Sequence, residues 1–361
     1  MISGTCSRSD RLTQPSGPGQ DLVDERRDLA RFHVGAVEQA AQQNGHGTPG
    51  AGAARGDRGL GSVPGMLRFG VSNWAADSAT AWRDDARRFE AAGYDTLWIA
   101  DHVGMLDPFT ALVAAAGATD RMRVGTYVLN VEFWNPLLLA RAAATTHLLS
   151  GGRLVLGLGA GHAQVEFEQA GLRYPPPGRR VDRLAAVVPA VRRLLAGETV
   201  DDQVLGLAGA ATGLAPADPP LLVGGNGDRV LTVAGQQADI AGLAGFTSGT
   251  GQVHTNLTHW RWDGLADRIA HVRAAAGGRD VRLDVLIQRA GVTDDRTAAL
   301  ADYAAAGVSQ TMLDDSPFLA VGSEQAVVDH LTRLHEDYGV DGVTVFARDA
   351  GALAPAIAGL R

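Results

Sequence analysis

The chain contains no lysine; its 32 basic residues counted as Lys+Arg are all arginine. That absence excludes a Schiff-base lysine, and with it pyridoxal-phosphate enzymes and lysine-dependent aldolases. It also excludes a P-loop nucleotidase, whose phosphate grip needs a lysine. Cysteine occurs once, as Cys6. No intrachain disulfide can form, and no zinc site can be built on several thiolates. Positive charge is in deficit as well, with a net charge of -8. Nothing neutralises phosphates in bulk, so nucleic acid is not an expected partner. No stretch reaches the roughly 18 consecutive apolar residues of a membrane helix. Met1 to Asp10 is polar and lacks a secretory pattern. A soluble cytoplasmic protein with no membrane partner is predicted. The motifs His-x-His, His-Glu-x-x-His and Gly-x-Ser-x-Gly are missing. No metal ligands are therefore assigned, and no hydrolase nucleophile.

What is present is a large apolar inventory. The 361 residues are 45% hydrophobic and 20% charged, enough for one α/β barrel or two modest domains. The first 65 residues have a different texture, with 12 glycines, four prolines and one aromatic, Phe32. Such a segment cannot bury enough surface to offset its ordering entropy. Residues 1–65 are expected to be a disordered, low-complexity extension. Within it, Val23 to Gln43 carries a frayed helical stripe. Met66 reads as an alternative start of the native protein, and residues 66–361 as the folded domain.

From Met66 onward, short apolar runs alternate with helical patterns. The expected strands are Leu67–Asn73, Thr96–Ala100, Met122–Leu129, Arg153–Leu158, Leu221–Val223, Asp239–Leu243, Arg282–Gln288 and Gly342–Ala347. Helical periodicity separates them, as in Thr80–Ala92, Pro136–Leu149, Gly264–Ala276 and Glu324–Tyr338. Nearly continuous apolar strands imply a parallel sheet covered on both faces. Eight βα units predict a (β/α)8 TIM barrel. An open doubly wound sheet is the competing architecture. Thr297–Ala306 adds an extra helix, and Ser316–Gly322 competes for the seventh or eighth strand position.

A barrel of this kind carries its chemistry where the strands end at their C-termini. Asn73 and Trp74 follow the first strand, Asp101 and His102 the second, and Asn130, Glu132 and Trp134 the third. Gly161 and His162 follow the fourth, with Glu166 and Glu168 beyond, and Gly224-Gly225-Asn226-Gly227 ends the fifth. Each has an ordinary reading. Asp101-His102 can cap a loop, and Gly224-Gly225 can make a tight turn. The functional reading of the glycines is a phosphate cradle at a helix start. Arg229, Arg179 and Arg180 are candidate phosphate partners there. Gly157-x-Gly159-x-Gly161 falls short of a dinucleotide fingerprint because its third glycine comes one residue early. His254 and His259 read as surface residues.

Several runs together resemble a known family. They are Gly93-Tyr94-Asp95-Thr96-Leu97-Trp98-Ile99-Ala100-Asp101-His102, Asp107-Pro108-Phe109-Thr110-Ala111-Leu112, Arg123-Val124-Gly125-Thr126, Leu148-Leu149-Ser150-Gly151-Gly152-Arg153-Leu154 and Gly157-Leu158-Gly159-Ala160-Gly161. Arg180-Val181-Asp182-Arg183-Leu184 and Pro220 to Gly225 continue the match. The chain resembles the bacterial luciferase-like oxidoreductases, and within them the branch using the deazaflavin coenzyme F420. The resemblance implies a TIM barrel with an insertion segment, often a homodimer, that transfers a hydride between F420 and a small organic substrate. It implies His102 and His162 as catalytic groups. Asp101, His102, Tyr127, Val128, Gly161, Gly224, Gly225 and Asn226 are implied as cofactor-binding positions, with a cis peptide at Tyr127-Val128. Trp74, Phe133 and Trp134 are expected to wall the pocket. Three departures argue against a glucose-6-phosphate dehydrogenase. His162 replaces the acidic glutamate, Leu106 stands near the ring-contacting tryptophan, and Thr247 to Gln252 lacks the phosphate-gripping lysine. The alternatives are an FMN-dependent monooxygenase, a non-catalytic flavin-binding protein and an unrelated metal-dependent barrel isomerase.

Overall fold

A computed structural model describes residues 66–245, 247–248, 255–257 and 259–361; the expected extension over residues 1–65 and His254 lie outside them. The eight expected strands all form. They are β1 (Arg68–Ser72), β2 (Thr96–Ile99), β3 (Arg123–Thr126), β4 (Leu154–Gly159), β5 (Leu221–Gly224), β6 (Ile240–Leu243), β7 (Arg282–Leu286) and β8 (Gly342–Phe346). Each pairs in parallel with its neighbour in the chain. β1 then pairs with β8, Arg68 opposite Gly342 and Ser72 opposite Phe346. The sheet is therefore a closed eight-stranded barrel, and the open doubly wound alternative is set aside.

Strand composition follows from this closure. β2, β4 and β8 are buried along their whole length, as strands with helices outside and packed side chains inside must be. Helices begin where polar caps stand. Ser78 caps α1 (Ala79–Ala91), Asp107 caps α2 (Pro108–Ala116), and Asn135 caps α3 (Pro136–Leu149), the last two with proline in the first turn. Their apolar faces, such as Trp82, Phe89, Leu112 and Leu139, join the barrel's outer core.

Two expected elements break up in instructive ways. The third run is interrupted after Thr126 by a cis Tyr127-Val128 peptide. Leu129–Asn130 then pairs with the end of β4. The competing run Ser316–Gly322 does contain a strand, Leu319–Gly322. It pairs in parallel with Arg289–Val292 outside the barrel, so it does not take a barrel position. The expected helix Thr297–Ala306 is two short ones, Arg296–Ala299 and Ala301–Ala305.

Candidate active site

All the strands run the same way, so β2, β3, β4 and β5 deliver their following residues to one mouth. Asp101 and His102 come directly after β2, and Gly224 is the last residue of β5. Val128 ties these together. Its carbonyl accepts from Asp101 N at 3.4 Å. Its side chain packs against the strand-end glycines, where a Cβ on Gly224 would lie 2.8 Å from Val128 Cγ1 and one on Gly159 would overlap Val128 Cγ2. Any side chain at those glycines would push Val128 out of the mouth.

His102 is held by a residue to which no role was assigned from sequence. Its Nδ1 lies 2.7 Å from Glu166 Oε1. Glu166 sits on α4 (Gln164–Gln169), the first helix after β4. That helix is fixed by Phe167, which is 1% exposed and packs on Phe133 and Tyr174 at 5.1 and 5.0 Å between ring centroids. Burial disfavours the charged imidazolium, but the Glu166 hydrogen bond and the charges of Glu166 and Asp101 outweigh it and raise the His102 pKa. The bond orients the ring. With Nδ1 turned toward the carboxylate, Nε2 is the nitrogen left for a ligand. His162 stands edge-on to His102, its ring centroid 5.6 Å away.

Asp101 does not face a ligand freely. Its Oδ2 accepts from Trp134 Nε1 at 2.9 Å and from Asn130 N at 3.2 Å. Burial raises its pKa, opposed by those two hydrogen bonds. Trp134 and Phe133 thus brace Asp101 and α4, rather than serving only as pocket wall. Trp74 packs edge-on against Phe346 at the end of β8, 5.6 Å between centroids.

Gly161 has a packing reason for being glycine. Its φ is +72°, and a Cβ there would overlap the amide of buried Asn130. Arg180 is 6% exposed and donates to the carbonyls of Gly161 and Pro175 at 3.0 and 2.5 Å. It also lies over the Tyr174 ring, whose hydroxyl donates to the His162 carbonyl at 2.9 Å. Arg180 is therefore a brace for the loop that carries His162, and the phosphate role considered for it is withdrawn. Arg229 pairs with Asp182 at 2.6 Å on the outside.

The turn after β5 looks prepared for a ligand. Gly225 N donates to Gly242 O at 3.0 Å, and a Cβ on Gly225 would lie 2.8 Å from Val230 Cγ1. Next comes Asn226, 3% exposed, with neither Nδ2 nor Oδ1 hydrogen-bonded among the described residues. A buried amide with both ends unsatisfied is costly, and a bound polar group would relieve it. Tyr127 is placed differently. Its side chain points into the barrel and packs edge-on against Trp98, 5.4 Å between centroids, so only its backbone is near the mouth.

A closed parallel barrel, with histidine, carboxylate and glycine turns gathered at its C-terminal mouth, is the architecture of the luciferase-like oxidoreductases. The family model described as luciferase-like monooxygenase matches residues 63–357, and the chain belongs to that family. A 5,10-methylenetetrahydromethanopterin reductase of Methanolobus tindarius is 28% identical over 253 residues, 70% of this chain and 73% of that protein. An F420-dependent glucose-6-phosphate dehydrogenase of Nakamurella multipartita is 30% identical over 254 residues, 66% of this chain and 72% of that protein. Among solved structures, the F420-dependent tetrahydromethanopterin reductase of Methanopyrus kandleri superposes with a TM-score of 0.63 at 19% identity, covering 81% of this chain and 97% of that one.

Proposed function

We propose that this chain is an oxidoreductase that transfers a hydride between coenzyme F420 and a small organic substrate. The observation that carries the reading is the convergence at one mouth of the His102–Glu166 pair and the Gly224–Gly225–Asn226 turn with its unsatisfied buried amide. The Nakamurella multipartita relative, named for its dependence on F420, supports the choice of coenzyme. When bound, the coenzyme supplies hydride chemistry that no side chain can.

The chain's own residues do the rest. Gly224, Gly225 and Asn226 hold phosphate or ring polar groups, as the open turn and the unpaired amide permit. Val128, seated between two strand-end glycines, forms an apolar wall with the Tyr127–Val128 backbone. Asp101 fixes the loop that carries His102. His102 Nε2 holds or delivers a proton, and Glu166 sets its tautomer. His162 is the second proton carrier or substrate contact, and Gly161 positions it. Trp74 shields the site from water. Residues 66–361 are the catalytic unit in this reading. A homodimer belongs to it too, and the outward leucines Leu148 and Leu149, 75% and 60% exposed, support an apolar contact surface. So does a cytoplasmic setting without nucleic-acid partners, in keeping with the net charge of -8.

The test is binding and oxygen uptake with F420 and FMN in parallel on the purified full chain. The proposal expects saturable F420 binding, reduction of F420 by a suitable alcohol or reduced carbon donor, and no oxygen consumption. Preferential FMN binding with oxygen uptake assigns the monooxygenase reading instead. Tight binding of neither overturns both.

A further inference from the structure

The opposite end of the barrel carries a second group of charged side chains that the mouth chemistry does not use. Arg68, Arg123 and Arg282 are the first residues of β1, β3 and β7. All three line one cavity of about 50 Å³ under the barrel, together with Trp98, Asp284 and Asp341. All three arginines are half-buried. Gly342 keeps the space open, since a Cβ there would lie 2.5 Å from Asp284 Oδ2.

Two of these cations have open hydrogen-bond donors among the described residues. Arg282 Nη2 is buried with no hydrogen bond, and among the described residues no hydrogen bond or ion pair joins the Arg123 guanidinium. The carboxylates nearby are engaged elsewhere. Asp341 Oδ2 accepts from Leu283 N at 2.8 Å, and Asp284 Oδ1 accepts from the Thr344 hydroxyl at 2.9 Å. Asp95 Oδ2 accepts from Phe69 N at 2.8 Å and takes Arg361 at 2.7 Å. Asp239 Oδ2 accepts from Leu221 N at 2.8 Å and takes Arg192 at 3.0 Å. Burial depresses the pKa values of Arg123 and Arg282, and the positive charge of Arg68 lowers each further, opposed by Asp95 at Arg123 and by Asp341, Asp239 and Asp280 at Arg282. Those carboxylates offset part of the cost, but buried guanidinium donors without a hydrogen-bond acceptor at a small cavity favour a further anion.

We propose that this basal cavity is a binding site for one small tetrahedral oxyanion, gripped by the guanidinium groups of Arg123 and Arg282. Guanidinium forks match the oxygens of phosphate and sulfate, and charge-assisted hydrogen bonds of this kind are the strong ones. The volume suits a single dehydrated ion or the phosphoryl end of a larger molecule, since it holds only a few waters. Arg68 adds positive potential whatever else it contacts. The site is independent of the coenzyme reading, because none of its residues lies at the mouth.

The experiment is calorimetric titration of the full chain with inorganic phosphate at fixed ionic strength in chloride. The wild type is expected to bind one ion saturably. Arg123→Gln and Arg282→Gln are each expected to bind about ten-fold more weakly, the loss of one charge-assisted contact, with F420 affinity unchanged. Absence of saturable binding in the wild type overturns the proposal. So does binding that is undiminished in both variants, which would place the ion at the glycine turn of the mouth. Phenyl phosphate separates the sources: exclusion points to the free ion, and competition to a phosphoryl group. Should either variant fail to fold, wild-type crystals soaked in selenate decide the matter. An anomalous selenium peak between Arg123 and Arg282 supports the site, and a cavity without one refutes it.

Discussion

At the C-terminal end of the barrel, the side chains that matter are two histidines, a glutamate and a glycine turn; at the N-terminal end they are three arginines with aspartates between them. The mouth is built by residues that follow strands, and its groups are held in pairs. Glu166 holds His102, Asn130 N and Trp134 hold Asp101, and Arg180 holds the loop of His162. At the floor the aspartates are held by strand-start N–H groups, while Arg123 and Arg282 keep open hydrogen-bond donors among the described residues. Between the two ends lies a buried layer of Trp98, Tyr127, Val155 and Leu222 beside Asp284. The contrast is that one end holds a few groups in fixed pairs, and the other concentrates charge.

Substitutions at the mouth should break function before stability. The largest effect is expected for His102→Ala, with turnover lower by about 10²–10⁴-fold, the range for loss of a general acid or base. Coenzyme affinity should stay near wild type, which fluorescence titration beside steady-state rates will check. An equal loss of binding and turnover would make His102 a binding group only.

Gly161→Ala is expected to cost about 1–3 kcal/mol of stability, from strain at positive φ and overlap with the Asn130 amide. Urea denaturation monitored by circular dichroism reads this directly. Stability equal to wild type would mean that Asn130 moves aside freely.

The buried layer predicts a pH effect from Asp284. Burial pushes its carboxyl up from 3.8 to about 6, opposed by the hydrogen bond from Thr344 and the neighbouring Tyr127 hydroxyl. A folded pKa above the unfolded one gives stability that is fully present below pH 3.8 and is lost as pH rises through about 6. The decline should be on the order of 3 kcal/mol, and Asp284→Asn should abolish it. Denaturation curves across that window compare the two proteins. A wild type whose stability is flat there contradicts the assignment.

The smallest effect is expected from Glu166→Gln, which removes the charge that raises the His102 pKa. Turnover should fall about ten-fold, and the His102 limb of the rate profile should move to lower pH. The raised His102 pKa also stabilises the fold, fully below its ordinary value and no longer once pH passes the folded pKa. Nuclear magnetic resonance titration of the ring proton separates this from a general loss of structure. An unmoved limb would leave Glu166 a structural neighbour.

Much of the mouth was legible in the sequence, because a barrel strand reads as a short apolar run and the next polar residue is a rim residue. Asp101, His102, His162 and the Gly224–Gly225 turn could be placed in this way. Glu166 was visible four residues after His162, but not its contact with His102 across 64 positions of chain, since that depends on how Phe167 anchors α4. Arg180 looked like a phosphate ligand because sequence shows its charge and not the carbonyls that occupy it. The floor was hidden for a similar reason. Arg68, Arg123 and Arg282 each read as the unremarkable start of a strand, and only closure of the barrel sets them around one cavity.

The most direct measurement is a titration of F420 fluorescence with the full chain, wild type beside Gly224→Val, with circular dichroism to show that both are folded. A valine there must displace Val128, whose Cγ1 would already lie 2.8 Å from a Cβ at that position. Saturable one-to-one quenching by the wild type and its loss in the variant are expected. Quenching that is equal in the two proteins, or absent from the wild type, would contradict a coenzyme seat at this mouth.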